Sequence, residues 1–170
     1  MTEVSNKKHK QSPSLKARAL RLLSLREYSR KSLAAKLVES EARWAKLTEA
    51  ESTSEASALS IEAVLDDFEA RGWLSDERFA EALVRRRSER YGARKIQEDL
   101  QRAGVDTQQS AKLLADLRET EFERAYELWS KKYGVKAQDQ KERARQYRFL
   151  ASKGFGLDVV AKIIGGQTPD

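Results

Sequence analysis

The chain has 170 residues, 33 lysines and arginines against 27 acids, a formal net charge of +6 and a pI near 9.5. Charged residues make up 35 %, mean hydropathy is −0.74, and no run approaches the ~20 apolar residues of a membrane span, so membrane insertion is not expected. The polar, basic leader MTEVSNKKHKQSPS lacks the apolar stretch of an export signal, and a cytoplasmic location is expected.

The absence of cysteine removes disulfides, thiolate chemistry and zinc–sulfur sites. The single histidine, His9, stands in the leader, so Ser–His–Asp chemistry has no ordered base. Carboxylate pairs such as Asp66–Asp67 and Glu98–Asp99 read as exposed helix positions, and no calcium loop or glycine-rich phosphate loop is present. No catalysis, metal, cofactor or small-molecule substrate is expected. The basic excess favours a polyanionic partner, either nucleic acid or an acidic protein surface. The mixture of signs favours a shaped surface that also docks protein.

Leu, Ala, Glu, Lys and Arg dominate between Pro13 and Pro169, and apolar residues recur at helical spacing. The pattern predicts an all-α chain of about nine helices. A disordered basic leader over 1–14 precedes a helix from Leu15 to Glu27 that buries Ala19, Leu20 and Leu23. Ser29 caps a second helix, which buries Leu33 and Leu37. The stretch 40–58, rich in Ser and Glu, reads as a loop with a turn near Trp44. IEAVLDDFEARG follows, with Ile61, Val64, Leu65 and Phe68 inward, Gly72 as its stop and Trp73–Leu74 as a buried corner. Ser75 caps DERFAEALVRRRSER, which buries Phe79, Ala80, Leu83 and Val84 and ends at Gly92. The next helix buries Ile96 and Leu100 and stops at Gly104. Asp106 or Thr107 caps a helix carrying Leu113, Leu114 and Leu117. A helix with Phe122, Ala125, Tyr126 and Trp129 runs to Gly134. QKERARQYRFLASKG and LDVVAKIIGG come last, and the tail 167–170 frays.

YSRKSLAAKL (28–37), YGARKIQEDL (91–100) and FGLDVVAKII (155–164) share a pattern. Each has an aromatic, then Ser or Gly, then aliphatics five and nine positions after the aromatic, which lie on one helix face. Upstream, Leu20, Leu83 and Tyr147 stand eight residues before the aromatic, and Ala17, Ala80 and Ala144 eleven before. The aromatics are 63 and 64 residues apart. This predicts tandem three-helix repeats forming an elongated, curved array: 15–74, 75–118 and 119–166.

GWLSDERFAEALVRRRSERYGARKIQEDLQRAGV (72–105) resembles the RecX family, bacterial regulators of the RecA recombinase. ALRLLSLREYSRKSLAAKL (19–37) and FLASKGFGLDVV (149–160) are similar to that family's first and last units, whereas 40–58 departs from it as a lengthened loop. The resemblance implies three-helix units curved to fit the groove of the RecA–DNA filament. It implies an inhibitor of RecA's ATPase, strand exchange and coprotease roles, with single-stranded DNA contacted weakly or through the filament. A capped array of this kind is expected to be monomeric.

The densest basic cluster is Arg85, Arg86, Arg87, Arg90, Arg94 and Lys95. Arg86 and Arg90, spaced i,i+4, are expected on one face, and Arg87 is expected to snorkel along the core edge. Glu98 and Asp99 are placed to pair with Arg94 and Lys95. Guanidinium groups suit phosphates and carboxylates through paired donors. Further candidates are Arg18, Arg21, Arg26, Arg30 and Lys31 in the first unit, and Lys131, Lys132, Arg143, Arg145 and Arg148 in the last. If the repeats curve alike, these faces make one electropositive strip. Tyr28, Tyr91 and Phe155 read as corner packing and not as base-stacking platforms. Trp73 and Trp129 read as core, and Trp44 as the exposed tryptophan. Lys7, Lys8 and Lys10 add non-specific attraction to phosphate.

Two rivals remain. IQEDLQRAGVDTQQSAKLLADL (96–117) has a helix-turn-helix outline, which fits a DNA-binding transcription regulator. Only Gln108, Gln109 and Lys112 would serve as readers, so this reading is weak. The other rival is a helical-repeat scaffold binding protein alone, which a shallow salt dependence would reveal.

Overall fold

The computed structural model describes residues 13–48 and 54–169. Of the leader expected over 1–14, residues 1–12, with their lysines and His9, lie outside them, as does Asp170, whereas Ser14 is the cap of the first helix. The described residues form nine helices and no strand: α1 (Leu15–Leu25), α2 (Arg30–Thr48), α3 (Ser54–Ala70), α4 (Asp76–Arg87), α5 (Ala93–Arg102), α6 (Thr107–Glu119), α7 (Glu121–Lys132), α8 (Gln140–Ser152) and α9 (Leu157–Gly165). The chain divides between Leu74 and Ser75 into two compact units.

In the first unit, the Ser14 side chain accepts from the Ala17 N–H and starts α1. Leu15, Ala19, Leu22 and Leu23 form the inner stripe, at one-turn spacing. Leu20 falls off that stripe and is 43 % exposed, contrary to expectation. The helix stops at Leu25 and not Glu27, because Arg26 is fully extended. Ser29 Oγ then accepts from the Ser32 N–H at 3.1 Å, capping α2 as its position predicts. Leu33 and Leu37 are fully buried with Ile61, Val64, Leu65 and Phe68.

The loop expected over 40–58 is replaced by helix wherever it is described. α2 continues to Thr48 and α3 begins at Ser54. Ser40 Oγ accepts from Arg18 Nη1 at 2.8 Å, and just beyond the stretch Ser60 Oγ donates to the Ala56 carbonyl one turn back. Glu41 is also drawn to Arg18. Gly72 ends α3 in the left-handed region (φ 69°), and the N–H groups of Trp73 and Leu74 both donate to the Phe68 carbonyl. Leu74 turns inward. Trp73, expected to be buried, is 44 % exposed, edge-on to Phe68 with Arg71 over its ring.

The second unit holds two apolar clusters, each built by three helices. Ala80, Leu83, Ile96, Leu100, Val105, Leu114 and Leu117 close α4–α6, and Ala125, Trp129, Leu150, Phe155, Val160 and Ile163 close α7–α9. The Ser75, Asp106 and Asp139 side chains cap α4, α6 and α8. α4 ends at Arg87, before a turn over Ser88–Arg90, and not at Gly92; Gly92 starts α5, as its place after the aromatic in the repeat predicts.

Burial refines the repeat. Tyr28 and Tyr91 each lie between the first and second helices of their cluster, whereas Phe155 lies between the second and third. The counterpart of Phe155 is Val105. Both are buried behind a left-handed glycine, Gly154 (φ 85°) and Gly104 (φ 77°), and Leu150 and Ile164 likewise answer to Leu100 and Leu114. The aromatic match therefore holds between the first two cores, and a 50-residue offset relates the second to the third. Upstream, Ala17 and Ala144 are exposed and only Ala80 is buried.

The corner before α5 touches the corner before α9 backbone to backbone. The Gly92 N–H donates to the Lys153 carbonyl at 3.0 Å, and a Cβ built on Gly92 would overlap the Gly154 carbonyl and Phe155 Cα. Gly92→Ala is therefore expected to destabilise the second unit by about 3 kcal/mol, the upper range for overpacking. Gly72→Ala meets open space and only the left-handed strain, about 1–2 kcal/mol in the first unit. Segment-resolved amide exchange of the two variants tests this. Equal losses would show that the junction yields.

Candidate polyanion-binding face

The charge on α4 runs from acid to base, with Asp76 and Glu77 in the first turn and Arg85, Arg86 and Arg87 in the last. That order suits the helix dipole. Arg85 and Arg86 are exposed at the helix end. Arg90 is exposed on the following turn, so it does not share a helix face with Arg86 as the spacing predicted. Among the described residues none of these three is in an ion pair.

Arg87 behaves differently. It lies 2.5 Å from Asp99 Oδ2, and its guanidinium sits 4.4 Å from the Tyr91 ring centroid. Asp99, expected as an exposed partner of Lys95, is largely buried and holds Arg87 and Arg102 instead. Arg94 pairs with Glu98 as its spacing predicted, at 3.6 Å, and also donates to the Ala151 carbonyl at 3.0 Å. Lys95 stands 3.9 Å from Glu98 and packs against Gly154.

Tertiary structure extends the cluster through residues that sequence density did not single out. Lys153 Nζ lies 5.3 Å from the Tyr91 ring and 5.8 Å from the Phe149 ring, and Lys132 Nζ covers Phe149 at 3.9 Å. Arg87, Tyr91, Lys153, Phe149 and Lys132 thus make one cation–aromatic row within the second unit. Lys153 is a lone lysine ahead of Gly154, and only the fold brings it to Tyr91. The Arg87 hydrogen bond, and then the charges of Lys153, Arg87 and Arg90, hold the Tyr91 phenol below its ordinary pKa.

The turn carrying Arg90 is fixed from beneath by Arg124, which sequence reasoning also missed. Its guanidinium donates to the carbonyls of Ser88 (2.6 Å), Tyr91 (3.0 Å) and Leu117 (2.6 Å). Burial lowers its pKa and Glu121 opposes that shift; the group remains a cation. On α8, Arg143, Arg145 and Arg148 are exposed, and on α7 Lys131 stands 3.8 Å from Glu127.

In the first unit the cations divide into engaged and free. Arg18 pairs with Glu41 and Ser40, and its buried Nε–H has no acceptor. Arg30 meets Glu62 and Glu69 at 2.5 Å and Asp66 at 2.7 Å. Burial works against its charge, but these hydrogen bonds raise its pKa above the ordinary arginine value. Arg26 covers the Tyr28 ring at 4.4 Å, as Arg87 covers Tyr91. Arg21 and Lys31 are exposed. Tyr28 and Phe155 are buried in their corners, and Trp129 is buried with its indole N–H on Gln146. Trp44, expected to be the exposed tryptophan, is half-buried.

Among the described residues no group of three His, Cys, Asp or Glu is placed to hold a metal ion, and no helix is long and apolar enough to cross a membrane. What the face offers is paired-donor recognition of phosphate or carboxylate. Replacing Arg87 or Lys153 by Met should raise the Tyr91 pKa toward its ordinary value of about 10. Ultraviolet difference titration against Tyr91→Phe reads this, and an unmoved transition in both variants would refute the row.

The family model for the RecX second three-helix domain matches residues 75–114, and that for the third matches 119–164. The chain is 43 % identical to Regulatory protein RecX of Leptothrix cholodnii over 151 residues, 89 % of this chain and 87 % of the relative. It is 40 % identical to that of Ralstonia pickettii over 90 % of this chain and 87 % of the relative. The RecX crystal structure from Lactobacillus salivarius superposes with a TM-score of 0.66 at 19 % identity, covering 89 % of this chain and 92 % of that one. Identity over most of its length and two matched three-helix domains place the chain in the RecX family of regulatory proteins.

Proposed function

We propose that this protein regulates the RecA recombinase, mainly as an inhibitor. It acts in the cytoplasm, as a non-enzymatic monomer without cofactor. It binds the groove of the RecA–single-stranded DNA filament and restrains ATPase, strand exchange and coprotease activity. The observation that carries this reading is the set of unpaired arginines Arg85, Arg86 and Arg90, set beside the Arg87–Tyr91–Lys153–Phe149–Lys132 row. Both aromatic rings already lie under cations, so the row meets phosphates or acidic loops through its charges and not by stacking bases. Direct contact with DNA is accordingly weak or routed through the filament.

The remaining candidates take graded roles. Arg94 and Lys95 flank the row but share Glu98. Arg145, Arg148 and Lys131 extend the field along the third core. In the first unit Arg21, Arg26 and Lys31 are the contacts, because Arg18 and Arg30 are engaged internally.

Joint reversal of Arg86 and Arg90 to Glu is expected to weaken filament binding by about tenfold or more at low salt without altering helicity or unfolding, since both side chains are exposed. Unchanged binding by the folded double variant would remove the assignment. The wider reading is tested by titrating the single-stranded-DNA-dependent ATPase of the cognate RecA filament. Inhibition below one protein per RecA subunit is the expected result, and no effect at saturation would overturn it.

A further inference from the structure

The first unit has a second feature that the arginine face does not use. Between α1 and α2 lies a cleft of about 400 Å³. Its floor is Leu22, Leu25, Trp44 and Leu47, with Pro13 at one end. Leu25 is 75 % exposed and Leu47 68 %, an apolar pair left facing solvent. Its rim is cationic: Arg21, Lys36 and Arg43. The acid on the rim, Glu39, is held by Lys36 at 2.8 Å, and the Lys36 hydrogen bond, then its charge, and lastly the charge of Arg43, keep the carboxyl below its ordinary pKa. Arg18 in the wall is neutralised by Glu41. Arg21 and Arg43 are in no ion pair among the described residues.

We propose that this cleft docks an acidic protein segment that carries a large apolar side chain. The apolar floor takes the side chain, and Arg21 and Arg43 take flanking carboxylates through paired donors. The size fits one such anchor with its neighbouring backbone. Charge complementarity selects the partner. The residues before Pro13 carry Lys7, Lys8 and Lys10 against the single acid Glu3, a net charge of the same sign as the rim. Single-stranded nucleic acid is disfavoured by the floor, which offers one aromatic among aliphatic side chains, whereas base stacking needs aromatic platforms. The site shares no residue with Arg85, Arg86 and Arg90 and stands or falls without them.

The test uses the full chain and a fluorescent peptide of alternating Glu and Asp ending in Leu-Phe, read by anisotropy. Saturable binding is expected. It should weaken at least about tenfold in Arg43→Glu, in Arg21→Glu and in Leu47→Ser, and stay unchanged in the Arg86→Glu/Arg90→Glu double variant. All the substituted side chains are exposed, and unchanged circular dichroism confirms folding. Any of these results overturns the proposal: no binding; equal binding by a peptide ending in Ser-Ser; displacement by an oligo-dT strand; or binding that appears only after residues 2–12 are deleted, which would give the cleft to the leader. Loss of binding in the Arg86/Arg90 double variant would also overturn it, by assigning the peptide to the arginine face.

Discussion

In the second unit one junction decides where everything else stands. Gly92 and Gly154 bring two helix corners into backbone contact, and α7 clasps them. Gly92 has no side chain to cap α5, so the buried Glu121 carboxylate does it, accepting the Ala93 N–H at 2.7 Å. Its second oxygen lies beside Gly156, at the start of α9. An acid there is favoured by the positive end of each helix dipole. One turn along α7, Arg124 collects the carbonyls of Ser88, Tyr91 and Leu117. A single helix thus supplies an acceptor for the stray Ala93 N–H and a donor for stray carbonyls. Removing either would leave its partners buried and unpaired, which costs more than the bond itself contributes.

The cation–aromatic row is a product of that junction. Arg87 and Tyr91 lie on one side of it and Lys153 and Phe149 on the other. Tyr91 and Lys153 are 62 residues apart, yet Lys153 shares the Tyr91 ring with Arg87. This explains why density of charge along the chain located Arg85–Arg90 but not Lys153. Density reports only neighbours on one helix, and a site made by two corners needs the close approach that Gly92 and Gly154 permit. The helix count, the caps at Ser29, Ser75 and Asp106, and the buried +5 and +9 aliphatics were all legible, because each depends on local spacing.

Where sequence reasoning failed, a tertiary contact or a competing register was the cause. Ser and Glu in 40–58 read as loop by composition, but Arg18 reaches across from α1 to hold Ser40 and Glu41 on the helix. Leu20 and Trp73 read as core by hydrophobicity, but the stripe through Ala19 and the inward turn of Leu74 left them outside. Phe155 matched Tyr91 by type and following glycine, although its place in the helix order is that of Val105. In each case the residue type was informative and the partner, which only the fold supplies, decided the outcome.

The arginines at the end of α4 have a plain structural explanation in the helix dipole, to which cations in the last turn contribute about 0.3–1 kcal/mol each. That account covers Arg85, Arg86 and Arg87. It does not cover Arg90, which lies beyond the helix on a turn held rigid by Arg124. Lys153 is the C-cap of α8, where the dipole favours a cation, but the dipole does not account for its ammonium lying 5.3 Å from the Tyr91 ring. Both cations, Arg90 and Lys153, act through their charges on the Tyr91 phenol, at the corner that the Gly92–Lys153 backbone contact fixes. A polyanion held there, as proposed, would bind the folded second unit in preference to the unfolded chain, and would stabilise the junction in proportion to its occupancy.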